Sequence, residues 1–472
     1  MTRPQKYQTM QNKKVISTEK LYDAQKSFFA SQKTLSTAFR IQKLRGLKNE
    51  INKREKDIYK ALYLDLRKSG FEAMTSETVL VEKEIAQMIK MLPLWNRPQR
   101  VKSSLINFPS RDYIIPEPYG NTLIISPWNY PFKLALTPLV SAIAAGNTAI
   151  LKPSEFAPHT GKIIKEIISA VFDHEHVAVI EGDAKVATEL LKRKWDNIMF
   201  TGSTSVGKIV AKAAAEHLTP TTLELGGKSP CIIDDSAPIV ITAKRLIWGK
   251  FLNCGQTCIA PDYVMVHEKI KDKLTRELIF QIEKSFGKNP QESSDYGRVI
   301  HKKHFEKLKS SLKDQKVIYG GATDDKDLFF GPTIVENPDL NSNLMQEEIF
   351  GPILPIITYS KENEIHKVME NRERPLAFYV FSKRKKFINQ LFQRYSFGGG
   401  VANDSIIQFA NDNLPFGGIG HSGMGAYHGK YSFKNFSHEK PVIKRSFWFD
   451  LPGRYAPYPK SLSLLKFLLK NL

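Results

Sequence analysis

Residues 121–152 read NTLIISPWNYPFKLALTPLVSAIAAGNTAILK. Asn121–Ser126 and Thr148–Lys152 are short apolar runs of strand length. Between them, Pro131–Ala145 carries a helical pattern that stops at Gly146, a residue suited to the left-handed C-cap. The rhythm continues with a helix over Gly161–Val171, a strand over His176–Glu181, a helix over Ala184–Leu191, a strand over Asp196–Thr201, a helix over Val206–His217 and a strand over Thr221–Leu225. Alternation at this spacing predicts a parallel sheet covered on both faces.

A second alternating region begins at Ser229–Asp234. It continues through a helix over Ile241–Phe251, a strand at Tyr263–His267 and a helix at Asp272–Phe286. Further strands are expected at Lys316–Tyr319, Thr333–Val335, Ile353–Tyr359 and Ala377–Phe381. The fold class is therefore α/β, with two doubly wound parallel-sheet domains meeting near residue 226. Ligands bind beyond the carboxyl ends of such strands. Upstream, residues 21–92 read as helices: Phe39, Ile41, Leu44, Leu47 and Ile51 recur three or four apart. Residues 93–120 hold five prolines and read as a connecting or edge-strand segment. Residues 1–20 read as a flexible extension. The tail SLSLLKFLLKNL, 461–472, reads as a surface helix, with peripheral membrane contact as the other reading.

A chain of 472 residues suits two or three domains. With 42% hydrophobic and 25% charged residues it is unlike a disordered chain. The net charge of +21 comes from scattered Lys and Arg without interleaved aromatics, which argues for solvated faces and against nucleic-acid binding. Three cysteines, Cys231, Cys254 and Cys258, make no disulfide framework and suit a reducing cytoplasm. No apolar run is long enough to span a bilayer.

Chemistry concentrates in a few segments. Cys258, in NCGQTC, is a candidate nucleophile toward a carbonyl. Gly255 permits close backbone approach there; the bland alternative is a small buried hydrophobe. Glu224, between leucines at a strand end, is a candidate base with a pKa raised by burial. The alternative pairs it with Lys228. Asn129 either caps the helix that follows it or donates to a developing oxyanion. Thr201–Gly207 (TGSTSVG) follows a strand and opens a helix, where free N–H groups favour a pyrophosphate. Lys152 and Glu155 could meet ribose or phosphate, or simply each other. Glu347–Pro352 (EEIFGP) joins carboxylates, an aromatic and a turn. His301 and His304 read as surface residues, and no metal site is expected.

Taken together, PWNYP, LKPSE, FTGSTSVGK, LELGGKSP, NCGQTCIAPDY, QEEIFGP and LPFGGIGHSGMGAYHGK resemble the aldehyde dehydrogenase superfamily over about residues 25–455, and its class 3 branch of fatty and aromatic aldehyde dehydrogenases. The resemblance implies oxidation of an aldehyde to its acid through a thioester on Cys258. Glu224 would activate the deacylating water, and Asn129 with the Cys258 amide would bind the oxyanion. Lys152, Glu155, Gly202, Ser203, Gly207, Glu348 and Phe350 would surround NAD or NADP, with NAD favoured. Tyr130, Trp248 and Thr257 would line the aldehyde tunnel. It also implies a homodimer joined through an arm of residues 109–122 and 419–440, a cofactor domain of 21–108 with 123–225, a catalytic domain of 226–418 and a tail of 441–472. Two rivals differ in class. A coenzyme A-acylating enzyme would not need Glu224, and an inactive interaction protein would not need Cys258, Glu224 and Asn129 together. Gln408, Asp412 and Asn413 make the approach to Leu414-Pro415-Phe416 more polar than the class 3 pattern.

Overall fold

The computed structural model describes residues 17–104 and 107–450, and beyond them 454–458, 462, 463, 466 and 470. Five parallel strands form the first sheet. Asn121–Ile125 lies at its centre, flanked by Thr148–Lys152 and then Val177–Val179 on one side, and by Asn197–Thr201 and then Thr221–Glu224 on the other. The strands Asn121–Ile125 and Thr148–Lys152 are buried along their whole length, which explains why they read as unbroken apolar runs. Register pairs Ile125 with Lys152 and with Phe200, and Thr201 with Glu224. The carboxyl ends that carry Lys152, Thr201 and Glu224 therefore lie along one edge.

The helix Lys133–Ala145 covers this sheet and stops at Gly146, whose φ is 100°. It starts two residues after the sequence pattern suggests. The Glu77 carboxylate, remote in sequence, accepts the amides of Phe132 and Lys133 at 3.0 and 2.9 Å and fixes the first turn. The helices Thr37–Lys53 and Val79–Trp95 pack Leu44, Leu47, Ile51, Ile85 and Met88 into the same core. Pro93 lies inside the second of these, so the proline-rich connection begins only after Trp95. Residues 1–16 of the expected extension lie outside the described residues. Thr18 already opens the helix Thr18–Ala30, capped by Ser17.

The second sheet has seven strands. Pro230–Ile233 and Tyr263–His267 are neighbours at its middle. Ile353–Tyr359 and Thr333–Glu336 extend it in parallel on one side, and Ala377–Phe381 with Gly399–Ala402 on the other. Val317–Tyr319 closes the first edge antiparallel. Gly399–Ala402 has no apolar run to announce it.

A third, three-stranded sheet joins Gln99–Val101, Ser110–Pro118 and Ser437–Arg445, with Ser437 opposite Pro118 and Arg445 opposite Ser110. This moves the expected arm. Its carboxyl-terminal limb is 437–445, not 419–440. The intervening chain returns to the first domain instead: Gly423–Met424 adds antiparallel to Glu224–Leu223, and Phe433 and Phe436 enter the first core. Asn121 and Thr122 belong to the central strand, so the first limb ends at Pro118.

Candidate active site

The helix Ile239–Phe251 ends in a turn that most residues avoid. Asn253 and Cys254 both have φ of 54°, and Gly255 follows at 73°. Left-handed backbone costs a non-glycine residue about 1 to 2 kcal/mol, so other contacts must hold it. At Gly255 a Cβ would fall 2.3 Å from the Gly351 carbonyl oxygen, the close approach anticipated for that glycine. Side-chain amides supply the rest. Asn253 Nδ2 donates to the Asn129 and Gln256 carbonyls at 2.7 and 3.1 Å. Gln256 Nε2 donates to the Asn253 and Arg298 carbonyls, and Gln256 Oε1 accepts the Ile300 amide at 3.0 Å. The turn delivers Cys258, partly exposed, to the junction of two cavities.

Asn129 is buried and donates through Nδ2 to the Gln256 carbonyl at 3.1 Å. An amide nitrogen has two hydrogens, which leaves one for a ligand. The capping role is not seen; Phe132 occupies the N-cap position. Two residues that sequence reasoning did not single out fix this segment. Lys68 is fully buried, pairs with Glu77 at 2.5 Å, donates to the Asn129 carbonyl at 3.1 Å and lies 4.1 Å from the centre of the Tyr130 ring.

The first cavity, about 590 Å³, is mostly apolar, with Leu134, Leu252, Ile406, Phe409 and Phe416 among its walls. Tyr130 and Thr257 reach it and share a hydroxyl–hydroxyl contact of 2.7 Å. Trp248 does not line it. That ring is 45% exposed on the helix one turn before Leu252, which takes the place expected of it. The second cavity, about 1120 Å³, is a cleft bounded by Trp128, Gly202, Ser203, Glu348 and Phe350. Cys258 and Glu224 face both.

Glu224 is 2% exposed, and neither carboxylate oxygen has a hydrogen-bond partner among the described residues. Burial alone pushes its pKa well above the usual carboxylate range. The alternative pairing with Lys228 is excluded. Lys228 lies 2.5 Å from Asp262 and donates to the Leu344 and Glu347 carbonyls. Asp262 also accepts the Ile349 amide at 3.0 Å, so this pair holds the segment carrying Glu348. Glu348 is pushed up to about 8 by burial and then by Asp262, against the Gly227 amide. Cys258 is pushed up to about 12 by burial, then by Glu348 and Glu224.

At the cleft, Ser203 caps the helix Thr204–Ala215 and Gly202–Ser205 line the wall, so the positive helix end faces the space. Gly207 plays a different part: a Cβ there would strike the Leu225 side chain at 2.6 Å, so it serves helix–strand packing. Lys152 and Glu155 stand at the same sheet edge but face each other, 2.8 Å apart, and do not line the cleft. His304, expected on the surface, is drawn inward. It bonds the Phe350 carbonyl at 2.8 Å, lies 5.8 Å from the Trp128 ring and is pushed down to about 4 by burial. His301 stacks on Phe156 at 4.3 Å. Among the described residues no three His, Cys, Asp or Glu side chains group to hold a metal.

Residues 3–442 match the sequence model of the Aldehyde dehydrogenase family. The chain belongs to that family. It is 44% identical, over 97% of its length and 100% of the relative's, to 4,4'-diaponeurosporen-aldehyde dehydrogenase of Staphylococcus aureus. It is also 44% identical to rat aldehyde dehydrogenase family 3 member A2, over 93% of this chain and 92% of that one, which agrees with the class 3 resemblance. A solved structure titled as the substrate-bound state of Staphylococcus aureus AldH superposes with a TM-score of 0.93 at 42% identity, covering 96% of this chain and 99% of the other. As an aldehyde dehydrogenase, the protein oxidises aldehydes to acids with NAD or NADP. The cleft fits such a dinucleotide. A helix N-terminus faces it, and a Cβ on Gly226 would lie 2.0 Å from Glu348 Oε2, so the glycine clears room for that carboxylate at the cleft wall.

Proposed function

We propose that Cys258, Glu224 and Asn129 carry the oxidation, with the apolar cavity holding the aldehyde and the polar cleft the dinucleotide. The observation that supports this is the position of Cys258 and Glu224, which alone among the titratable side chains face both spaces. The Cys258 sulfur adds to the aldehyde carbon as its proton leaves. Asn129 Nδ2 and the Cys258 amide donate to the carbonyl oxygen, where charge develops. A dinucleotide held by Gly202, Ser203, Glu348 and Phe350 would supply the acceptor for the hydride of that carbon, and Cys258 then carries the acyl group as a thioester. Glu224 takes a proton from water, the hydroxide cleaves the thioester, and acid and thiol are released. Burial makes Glu224 the stronger base for that step. Oxyanion donors and bases of this kind each lower barriers by about 2 to 4 kcal/mol.

Apolar walls favour medium- or long-chain aliphatic or aromatic aldehydes, and the names of the relatives accord with that. Gly202, Ser203, Glu348 and Phe350 would hold the dinucleotide, with Lys152 and Glu155 near its adenosine end. Glu155 opposes a 2′-phosphate, but Lys152 offsets its charge at 2.8 Å, so NAD is favoured only modestly. The three-stranded arm supports a homodimer. Three free cysteines support a reducing, cytoplasmic setting. Among the described residues no helix is long and apolar enough to cross a membrane. Exposed Phe447 and Trp448 support peripheral membrane contact near the tail, most of which lies outside the described residues.

Glu224→Gln tests the reading. The variant should release a burst of reduced dinucleotide near one per subunit, then turn over slowly, with the acyl group on Cys258 visible by intact mass after rapid quench. Normal steady turnover in a folded variant would remove Glu224 from the mechanism. Restoration of wild-type turnover by added coenzyme A would favour the acylating rival.

A further inference from the structure

The apolar cavity holds a positive charge on a residue other than the three proposed to carry the oxidation. Lys133 lines it from the first turn of the helix Lys133–Ala145, four residues after Asn129. Among the described residues its ammonium makes no hydrogen bond and no ion pair, and its one cationic contact is the Phe409 ring, 4.7 Å from the centroid. The side chains of Lys68, Lys152 and Lys228 each have a carboxylate within 2.8 Å; Lys250 is buried without such a partner among the described residues but does not line the cavity. Of the acidic groups that act on Lys133, Cys258 comes first, and its own thiol is pushed up to about 12; the carboxyls that follow are engaged elsewhere, Glu77 by Lys68, Asp412 by Lys83 at 2.7 Å, and Glu84 by the Ser141 hydroxyl at 3.3 Å. A lone ammonium among Leu134, Ile406 and Phe409 is poorly solvated, and burial pushes its pKa down to about 8. An anion entering the cavity would relieve that penalty, because opposite charges attract more strongly in a low-dielectric space than in water.

We propose that Lys133 is an anion subsite of the aldehyde cavity, which selects aldehydes carrying a carboxylate away from the reacting carbonyl. The inference rests on the cavity being the aldehyde site. The apolar walls take the methylene chain, the carbonyl meets Cys258 and Asn129, and Lys133 pairs with the carboxylate. The product is then a dicarboxylate. The net charge of +21 favours the approach of such a substrate.

The test uses the full chain with NAD and a matched series of straight-chain aldehydes of equal length, ending in methyl or in carboxylate. Wild type should prefer at least one carboxylated member over its methyl partner. Lys133→Met should lose about tenfold or more in kcat/KM on that member relative to its methyl partner, chiefly through KM, beyond any loss common to both. Lys133→Arg should retain the preference. On unmodified enzyme, a saturated dicarboxylate should inhibit more strongly than the monocarboxylate of the same length, a measurement that does not depend on any variant folding. Equal inhibition by the two acids, no wild-type preference, or an equal loss on both substrates in Lys133→Met would overturn the proposal while leaving aldehyde oxidation in place. Oxidation of neither series by wild type would instead remove the aldehyde reading of the cavity, and the subsite with it.

Discussion

An ionised carboxylate away from hydrogen-bond donors is among the least favourable groups a fold can bury, and burial accordingly pushes the pKa of Glu224 well above the usual carboxylate range. Its neighbour Cys258 shares the cost. With burial, Glu348 and Glu224 all opposing ionisation, the thiol lies at about 12 in the enzyme without dinucleotide, and only Lys133 and a backbone amide pull it down. Alkylation by iodoacetamide needs the thiolate. It should therefore be slow near neutral pH and rise about tenfold per unit through mildly alkaline pH, the direction set by a raised acid constant. Intact mass with peptide mapping would follow Cys258; a plateau at neutral pH would mean the resting thiol is already ionised. Cys254, also pushed up to about 12 and fully buried beside Tyr296, should react no faster. The candidate site was legible in sequence where side-chain type suggests chemistry, as at Cys258, Glu224 and Asn129, which the fold brings to the walls of one cleft. Lys68, Glu77 and Lys133 were not, because their meaning arises from contacts: Lys68 meets the Asn129 carbonyl across 61 positions of chain.

Strand and helix identities followed from apolar rhythm, since both faces of each sheet are covered. Boundaries drifted wherever a distant group intervenes, as when the Glu77 carboxylate resets the start of the helix at Lys133. Glycines divided in the same way. Gly255 serves close approach as its segment suggested, Gly226 leaves room for the Glu348 carboxylate, and Gly207 serves packing against Leu225. The strand end at Glu224 and the segment carrying Glu348 meet over Gly226, where any side chain would displace the carboxylate. Gly226→Ala should therefore raise KM for the dinucleotide by about tenfold or more, roughly 1.4 kcal/mol, with the aldehyde KM much less affected. Initial-rate kinetics varying each substrate separately would show it. An unchanged dinucleotide KM would mean that Glu348 has no part in holding it.

Across the molecule, the three-stranded sheet pairs the strands most distant in sequence, Ser110–Pro118 with Ser437–Arg445, where the sequence predicts limbs at 109–122 and 419–440. Proline and charge blur the apolar alternation of Ser437–Arg445, whose residues are mostly exposed. A chain ended after Phe436 keeps both cores but loses the long strand pairing of the arm. If the arm joins two copies as proposed, it should elute and scatter light as a monomer and the full chain as a dimer; a truncated chain that remained dimeric would place the interface elsewhere. The segment just before the arm has a different consequence. Gly423–Met424 lies beside Leu223 and Glu224, and the Leu225 amide donates to the Ser422 carbonyl at 3.2 Å. The edge that carries Glu224 is thus completed by residues made long after it. On the ribosome, the five parallel strands of the first sheet and every strand of the second emerge before that edge can close, so the surroundings of Glu224 are among the last parts of the molecule to be finished.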